Sequence, residues 1–296
     1  MPTYLDNVEE AKNRPDKSIL AIRTMCPEKL LVPNVAFPEQ VRHLWLDVNF
    51  DQSNYCQLEK YLFKTDCNCP KMEGCNLCSW YRKYTNTLCK DLVGFDHLET
   101  LTVYDLNLSS NLWTQFAQNS KHLKQISFIS NHDLDSGWDE FEFDDERENC
   151  LQAIFQIPTL EKISFSCIYL PLFPKGPSNI KYIELDNLRN PDDKQKSYES
   201  YKNFCHHTNI TTVSVTCEYK FAVFQFEKMT QLQNLNFMGE LEDQNDIDSL
   251  KRIFDLPNLK TFDFYSHKRD ISFCGSLEDK EVIDSFKTNL NSLFTT

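Results

Sequence analysis

The chain has 296 residues, of which 41% are hydrophobic and 25% are charged, a composition typical of a folded protein rather than a disordered one. Its 31 basic residues against 44 acidic ones give a formal net charge of −13 at pH 7. Phosphate backbones and anionic lipid headgroups repel such a chain, which argues against binding to free nucleic acid or to a membrane. The charge balance instead favours a protein partner with a basic surface.

The N-terminal residues and the short apolar stretches predict a soluble, intracellular protein. The first 20 residues carry acidic side chains where a secretory signal needs a basic stretch followed by an apolar one. The longest apolar stretch, at 167–173, is far shorter than the roughly 20 residues that span a bilayer. We therefore expect a cytoplasmic or nuclear location, in which the 12 cysteines stay reduced.

One side-chain pattern is repeated along most of the chain. Residues 151–165 and 250–264 share L-x-x-I-F-x-[IL]-P-x-L-x-x-[IF]-x-F, which predicts a short helix ended by a proline and followed by a short strand. The strand part is apolar at relative positions 1, 4 and 6. It occurs eight times, beginning at Val41, Leu98, Leu123, Leu160, Ile180, Ile210, Leu232 and Leu259.

Most of these copies start 20 to 30 residues after the previous one, and this pattern resembles the leucine-rich-repeat superfamily over residues 41–270. The resemblance is to the irregular repeats of its ribonuclease-inhibitor-like and F-box-associated members. It implies an α/β solenoid, a curved horseshoe with parallel strands on the concave face and short helices and loops on the convex face. A two-domain α/β protein is the alternative, but such folds do not repeat one side-chain spacing eight times.

The family motif has Asn or Cys at relative position 9, and only Asn49 and Asn131 match it. We therefore expect the turns after the other strands to be irregular. Outside the repeats, we predict an N-terminal cap at 1–40 and a C-terminal helical cap at 271–296. The helix of the second cap is expected over 277–294, and its predicted buried side consists of Leu277, Val282, Phe286, Leu290 and Leu293.

The predicted solenoid contains a Cys-rich insertion at 51–96. Four of its cysteines have the spacing C-x-C-x5-C-x2-C and are candidate ligands of a tetrahedral zinc ion: Cys67, Cys69, Cys75 and Cys78. Nearby substitutes for any one of these ligands are Cys56, Cys89 and His97. Four protein ligands leave no coordination position for a substrate, so this zinc would be structural. The alternatives are reduced, partly buried thiols without a metal, or a disulfide. Zinc is the one cofactor that the sequence suggests.

Side chains at relative positions 5 and 7 point away from the core, because residues of a strand alternate between its two faces. We expect a partner to contact the aromatic and acidic members of this row, which are Trp45, Asp47, Tyr104, Glu184, Asp186, Asp263 and Tyr265. An acidic insertion at 131–148 adds Trp138, Phe141 and Phe143. Its mixture of acidic and aromatic residues suits the capture of a basic, partly apolar surface, with a solvated loop that binds nothing as the alternative.

No motif of a common catalytic class is present. The six glycines form no phosphate-binding loop, and the chain has neither a G-x-S-x-G elbow nor an H-E-x-x-H pair. We interpret His206 and His207 as part of a surface loop. The sequence thus predicts a non-enzymatic interaction module or assembly subunit, without a small-molecule substrate, that binds a basic protein through the concave face and the acidic insertion. The alternatives are a substrate receptor of a cullin-type ubiquitin ligase and a structural component of a large ribonucleoprotein or viral particle.

The zinc hypothesis predicts about one zinc ion per chain, held by the four thiolates. Elemental analysis of the purified protein should find it, and a strong chelator should change the circular-dichroism spectrum, because structural zinc contributes to folding. Protein that contains no zinc and keeps its spectrum in chelator would contradict this prediction.

Overall fold

The structure is a computed structural model. It describes residues 18–24, 38–48, 95–104, 112–129, 145–166, 173–176, 178–186, 202–220, 226–241, 243–266 and 270–292. The chain divides into two compact units, Met1–Thr159 and Leu160–Thr296. None of the helices in the described ranges is long and apolar enough to span a membrane.

The first unit contains four parallel strands that pair in chain order. They are β1 (Ile19–Thr24), β2 (His43–Val48), β3 (Thr100–Tyr104) and β4 (Gln125–Ile129). Helix α1 (Leu112–Asn119) connects β3 to β4, and helix α2 (Asp145–Phe155) follows β4. The last four residues of the predicted acidic insertion, 145–148, therefore form the first turn of α2.

The second unit contains five parallel strands and one antiparallel strand. The strands are β5 (Lys162–Ser166), β6 (Tyr182–Asp186), β7 (Thr212–Lys220), β8 (Asn234–Glu240), β9 (Thr261–Ser266) and the antiparallel β10 (Ile271–Ser276). Helix α3 (Gln244–Ile253) connects β8 to β9, and helix α4 (Lys280–Ser292) follows β10. Strands β2–β9 are the eight predicted strands, so the predicted α/β fold of stacked strand repeats is confirmed within each unit.

One backbone carbonyl oxygen joins each strand to the next. At every described step within a unit, the carbonyl oxygen at relative position 2 accepts the N–H groups at positions 2 and 3 of the following repeat. Lys181 O, for example, accepts Thr211 N at 2.9 Å and Thr212 N at 3.0 Å. Ser18 O accepts Arg42 N and His43 N in the same way, at 2.8 and 2.9 Å. Ser18 therefore occupies position 2 of a ninth copy of the repeat.

This ninth copy lies within residues 1–40, which we expected to be outside the repeat pattern. In the parallel register of β1 and β2, Leu20 lies opposite Leu44 and Ile22 lies opposite Leu46. Apolar positions 4 and 6 are thus kept in this copy. Position 1 is Lys17 instead of an aliphatic residue. Because of Lys17, this strand does not match the pattern of three apolar positions.

The interior of each unit is formed by the predicted apolar positions. Every side chain at positions 1, 4 and 6 of the eight predicted copies is buried, and none is more than 8% exposed. The predicted helical residues Leu151, Ile154 and Phe155 are also buried. In the second unit, phenylalanine rings with centroids 5.1 to 6.4 Å apart form a continuous series: Phe165, Phe173, Phe204, Phe226, Phe237 and Phe264. These rings connect the strand layer to the segments that cover it.

The C-terminal helix is present, but its buried side differs from the prediction. Helix α4 buries Ile283, Phe286 and Leu290, whereas Val282 is 52% exposed. Leu277 is partly exposed before the helix begins, and Leu293 lies outside the described residues. The rotation of α4 is set by Phe286, whose ring packs 5.1 Å from that of Phe273 and 5.6 Å from that of Phe254. This contact between elements outweighs the local pattern that favoured Val282.

His207 is buried, so the predicted surface loop is wrong at this residue, although His206 is exposed. The His207 Nδ1 lies 3.2 Å from Ser178 Oγ, and its Nε2 lies 2.9 Å from the carbonyl oxygen of Pro174. Burial lowers the pKa of His207 from its ordinary 6.5, and the hydrogen bond to Pro174 only partly opposes this. A neutral imidazole therefore links two segments of the second unit.

The lowered pKa of His207 predicts a pH dependence of stability. The unfolded chain takes up the proton at a higher pH than the folded chain does. The stabilising contribution is therefore complete above the unfolded pKa and is lost as the pH falls from about 7 toward 5. We expect the free energy of unfolding, measured by urea denaturation, to change less over this range in His207→Gln than in the wild type. The control His206→Gln removes only the smaller effect of the neighbouring His206 charge on His207 and should keep most of the wild-type slope. Equal slopes for all three proteins would contradict the prediction.

Candidate binding face of the second unit

The second unit presents one polar face of its sheet, opposite to the buried positions 4 and 6. We call it the polar sheet face and define it by positions 3, 5 and 7 of β5–β9 together with the outward residues of β10. Its members are Lys162, Ser164, Ser166, Tyr182, Glu184, Asp186, Thr212, Ser214, Thr216, Asn234, Asn236, Met238, Thr261, Asp263, Tyr265, Ser272, Cys274 and Ser276. Ser164 is 9% exposed, and the other members are more accessible.

Glu184 on β6 is held by two side chains of β5. Lys162 Nζ lies 3.0 Å from Glu184 Oε2, and Ser164 Oγ donates a hydrogen bond of 2.9 Å to the same oxygen. The Lys162 ammonium also lies 4.3 Å from the centre of the Tyr182 ring, within the range of a cation–π contact. The Glu184 side chain nevertheless remains 38% exposed. Its carboxylate is thus positioned by neighbours while it stays accessible to a partner.

Asp186, two residues further along β6, is also held by a serine of β5. Ser166 Oγ donates to Asp186 Oδ2 at 3.0 Å, and the register places Ser166 opposite Asp186 as it places Ser164 opposite Glu184. Among the described residues, these contacts fall on a single oxygen of each carboxylate. On the other side of β6, β7 presents only the small side chains Ser214 and Thr216 beside the two acids. A long side chain can therefore approach the two carboxylates from the side of β7.

The third carboxylate of the polar sheet face belongs to Asp263 on β9. It lies between Asn236 of β8 and Cys274 of β10 in the register. Its hydrogen bond with Cys274 raises the pKa of that exposed thiol. Asp263 is three strands from Glu184, a separation of about 14 Å at the usual strand spacing. The polar sheet face thus carries three carboxylates and one ammonium group, and its charge is negative.

The structure describes the side chains of five of the predicted site residues. Glu184, Asp186, Asp263 and Tyr265 lie together on the polar sheet face. Trp45 is partly exposed on β2 of the first unit, where its ring centroid lies 6.5 Å from that of His43. Asp47 and Tyr104 belong to β2 and β3, but their side chains are outside the described residues. Trp138, Phe141, Phe143 and the cysteines at 67, 69, 75 and 78 also lie outside them.

Sequence reasoning missed the contribution of β5. Ser164 and Ser166 share relative positions 5 and 7 with Glu184 and Asp186 in the next repeat, so an alignment of the repeats contains this signal. Lys162 occupies position 3, which the sequence search did not consider. These three side chains determine where the two carboxylates stand.

Metal ligands are not clustered in the described ranges, where no group of three or more His, Cys, Asp or Glu side chains could hold a metal ion. The cysteines described there, Cys150, Cys205 and Cys274, are free thiols. Burial, with a smaller effect of the Glu227 carboxylate, raises the pKa of Cys205 to about 12, so this thiol remains protonated at neutral pH. The zinc hypothesis rests on the cysteines of the insertion at 51–96, which lie outside the described residues.

Comparison with known proteins finds similarity to solved structures. No family model matches the chain, and no curated protein is significantly similar to it. Among solved structures, the chain is similar to the crystal structure of the leucine-rich repeat-containing protein LegL7 from Legionella pneumophila, with 16% sequence identity and a TM-score of 0.44. The similarity covers 100% of this chain and 99% of that chain.

Proposed function

We propose that the chain is a non-enzymatic protein-interaction module or assembly subunit, whose polar sheet face binds a basic segment of a partner protein. The observation that carries this proposal is the pair of carboxylates on β6, Glu184 and Asp186, held by side chains of β5 at 2.9 to 3.0 Å. Because their positions are fixed before a partner arrives, binding would cost less conformational entropy. Lysine and arginine are the side chains that such carboxylates recognise, and arginine can contact a carboxylate through two parallel hydrogen bonds.

The size of the face indicates that it forms only part of the contact. Six strands about 4.8 Å apart, each contributing about five residues of 3.3 Å, cover an area on the order of 500 Å². A stable complex buries at least about 600 Å² on each partner. We therefore propose that the remaining predicted aromatic and acidic residues extend the contact. They are Trp45, Asp47, Tyr104, Trp138, Phe141 and Phe143.

A binding role fits the chemistry of this face better than catalysis does. A nucleophile is activated by a lowered pKa or by an adjacent base. Cys274, the thiol on the polar sheet face, has a raised pKa because of its hydrogen bond with Asp263. The thiol is therefore protonated and a weak nucleophile. The serines of β5 donate to carboxylates that are held in place as acceptors, at 2.9 and 3.0 Å.

Charge reversal at the two central carboxylates tests the proposed function. The double variant Glu184→Lys, Asp186→Lys should reduce recovery of the partner by at least about tenfold, because it replaces attraction of a basic segment by repulsion. Recovery is measured by quantitative affinity purification from the native source, followed by binding assays with the purified partner. Glu161→Lys is the control, since Glu161 is an exposed carboxylate directly before β5 and outside the polar sheet face, with its Oε1 2.7 Å from Lys181 Nζ. Undiminished binding by the double variant would contradict the proposal.

Removal of the Lys162 ammonium should strengthen binding of the partner. Lys162 neutralises Glu184 within the chain and thereby competes with a cation of the partner. Lys162→Met keeps the apolar stem beside Tyr182 and makes the face more negative. We expect severalfold tighter binding of the same purified partner, with a steeper decrease as salt is added, measured by titration at two ionic strengths. Unchanged or weaker binding would show that Lys162 does not compete for Glu184.

A further inference from the structure

Two histidines of the first unit lie side by side on neighbouring repeats. His97 and His122 both occupy the residue just before position 1, which we call position 0, in the repeats of β3 and β4. Both are exposed, their ring centroids lie 5.3 Å apart, and their planes are tilted by 35°. Parallel strands in register bring equivalent positions next to each other, so the repeat itself produces this pair.

In four other repeats, the side chain at position 0 makes a hydrogen bond to the backbone. There its side chain donates a hydrogen bond of 2.6 to 2.9 Å to a backbone carbonyl oxygen of the preceding repeat. The donors are Thr159, Asn209, Gln231 and Asn258. Within the described part of the chain, neither His97 nor His122 makes such a hydrogen bond, and their observed contact is with each other. Their ring nitrogens are therefore available to an external ligand.

The separation of the rings suits coordination of one metal ion. Zinc binds imidazole nitrogen at about 2.0 to 2.1 Å, and two imidazoles at a tetrahedral angle around one ion have ring centres about 5 Å apart. The observed 5.3 Å agrees with this value. The backbone beside each ring is anchored, because Leu98 and Leu123 are buried directly after the histidines and Glu99 O accepts Lys124 N at 2.8 Å. Little ordering is needed for both imidazoles to reach one ion.

The charges around the pair do not oppose a cation strongly. The exposed Asp96 precedes His97, and the exposed Lys121 precedes His122. Lys124 Nζ lies 2.7 Å from Glu99 Oε2 and is compensated by that carboxylate. One carboxylate thus balances each of the two nearby ammonium groups.

We propose that His97 and His122 form a two-histidine binding site for a divalent transition-metal ion of the zinc, nickel and copper class. Imidazole nitrogen suits these ions, whereas magnesium and calcium prefer oxygen ligands. Two protein ligands leave further coordination positions for water or for a side chain of a bound partner. Its two ligands are not among the four cysteines proposed for zinc, and the proposal does not depend on the polar sheet face.

The test uses full-length protein labelled with ¹⁵N-histidine and titrated with Ni²⁺, whose paramagnetism broadens the NMR signals of ligating imidazoles. In the wild type, the signals of His97 and His122 should broaden together because the second ligand binds in an intramolecular step. The Ni²⁺ concentration required should be roughly tenfold or more below that needed for His206, an exposed histidine of the second unit. In His97→Asn the signal of His122 should need as much Ni²⁺ as His206, and the reverse holds for His122→Asn. His206→Asn is the matched control and should leave the pair unchanged.

The cysteines are present in all of these variants, so any metal that they bind cancels from the comparison. Mg²⁺ at the same concentrations should leave the two signals unaltered. The proposal is overturned if His97 and His122 broaden no more readily than His206, or if either one keeps its wild-type response after the other is replaced.

Discussion

The shared carbonyl oxygen at relative position 2 is the contact on which the rest of each unit depends. By accepting two N–H groups of the following repeat, it fixes which residue of one strand lies beside which residue of the next. A slip of one residue would exchange the buried and the exposed side chains of a strand, so the apolar positions 1, 4 and 6 reinforce the same register. The backbone contact and the burial of apolar surface thus select one alignment together.

That alignment also determines which side chains are neighbours on the surface of each unit. Since equal positions stand side by side, a serine at position 5 meets the acid at position 5 of the next repeat, as Ser164 meets Glu184 at 2.9 Å. The same rule brings His97 within 5.3 Å of His122 at position 0. The two proposed sites therefore need no special loop. They arise where neighbouring repeats carry complementary side chains at one position.

In the proposed function, the positioned carboxylates would make binding by an acidic chain selective. A formal charge of −13 attracts basic molecules of many kinds through long-range forces, which salt weakens. Glu184 and Asp186, each held by a serine of β5, add a fixed local geometry to that general attraction. The small residues of β7 leave room beside them. In the proposed function, net charge sets the class of partner, and these two side chains set the position at which its cation binds.

The sequence by itself determined the repeated strands and their buried positions, because the period of apolar residues reports directly which side of a strand faces the core. It also identified Glu184, Asp186, Asp263 and Tyr265 as outward-facing. Only the tertiary structure revealed the strand at Ile19–Thr24, since Lys17 replaces the apolar residue at position 1 and pairing with β2 defines the copy. Contacts between segments distant in sequence likewise decided the burial of His207, the rotation of α4 around Phe286 and the support of Glu184 by Lys162. Such contacts join residues 13 or more positions apart, and the local period of one strand or helix carries no information about them.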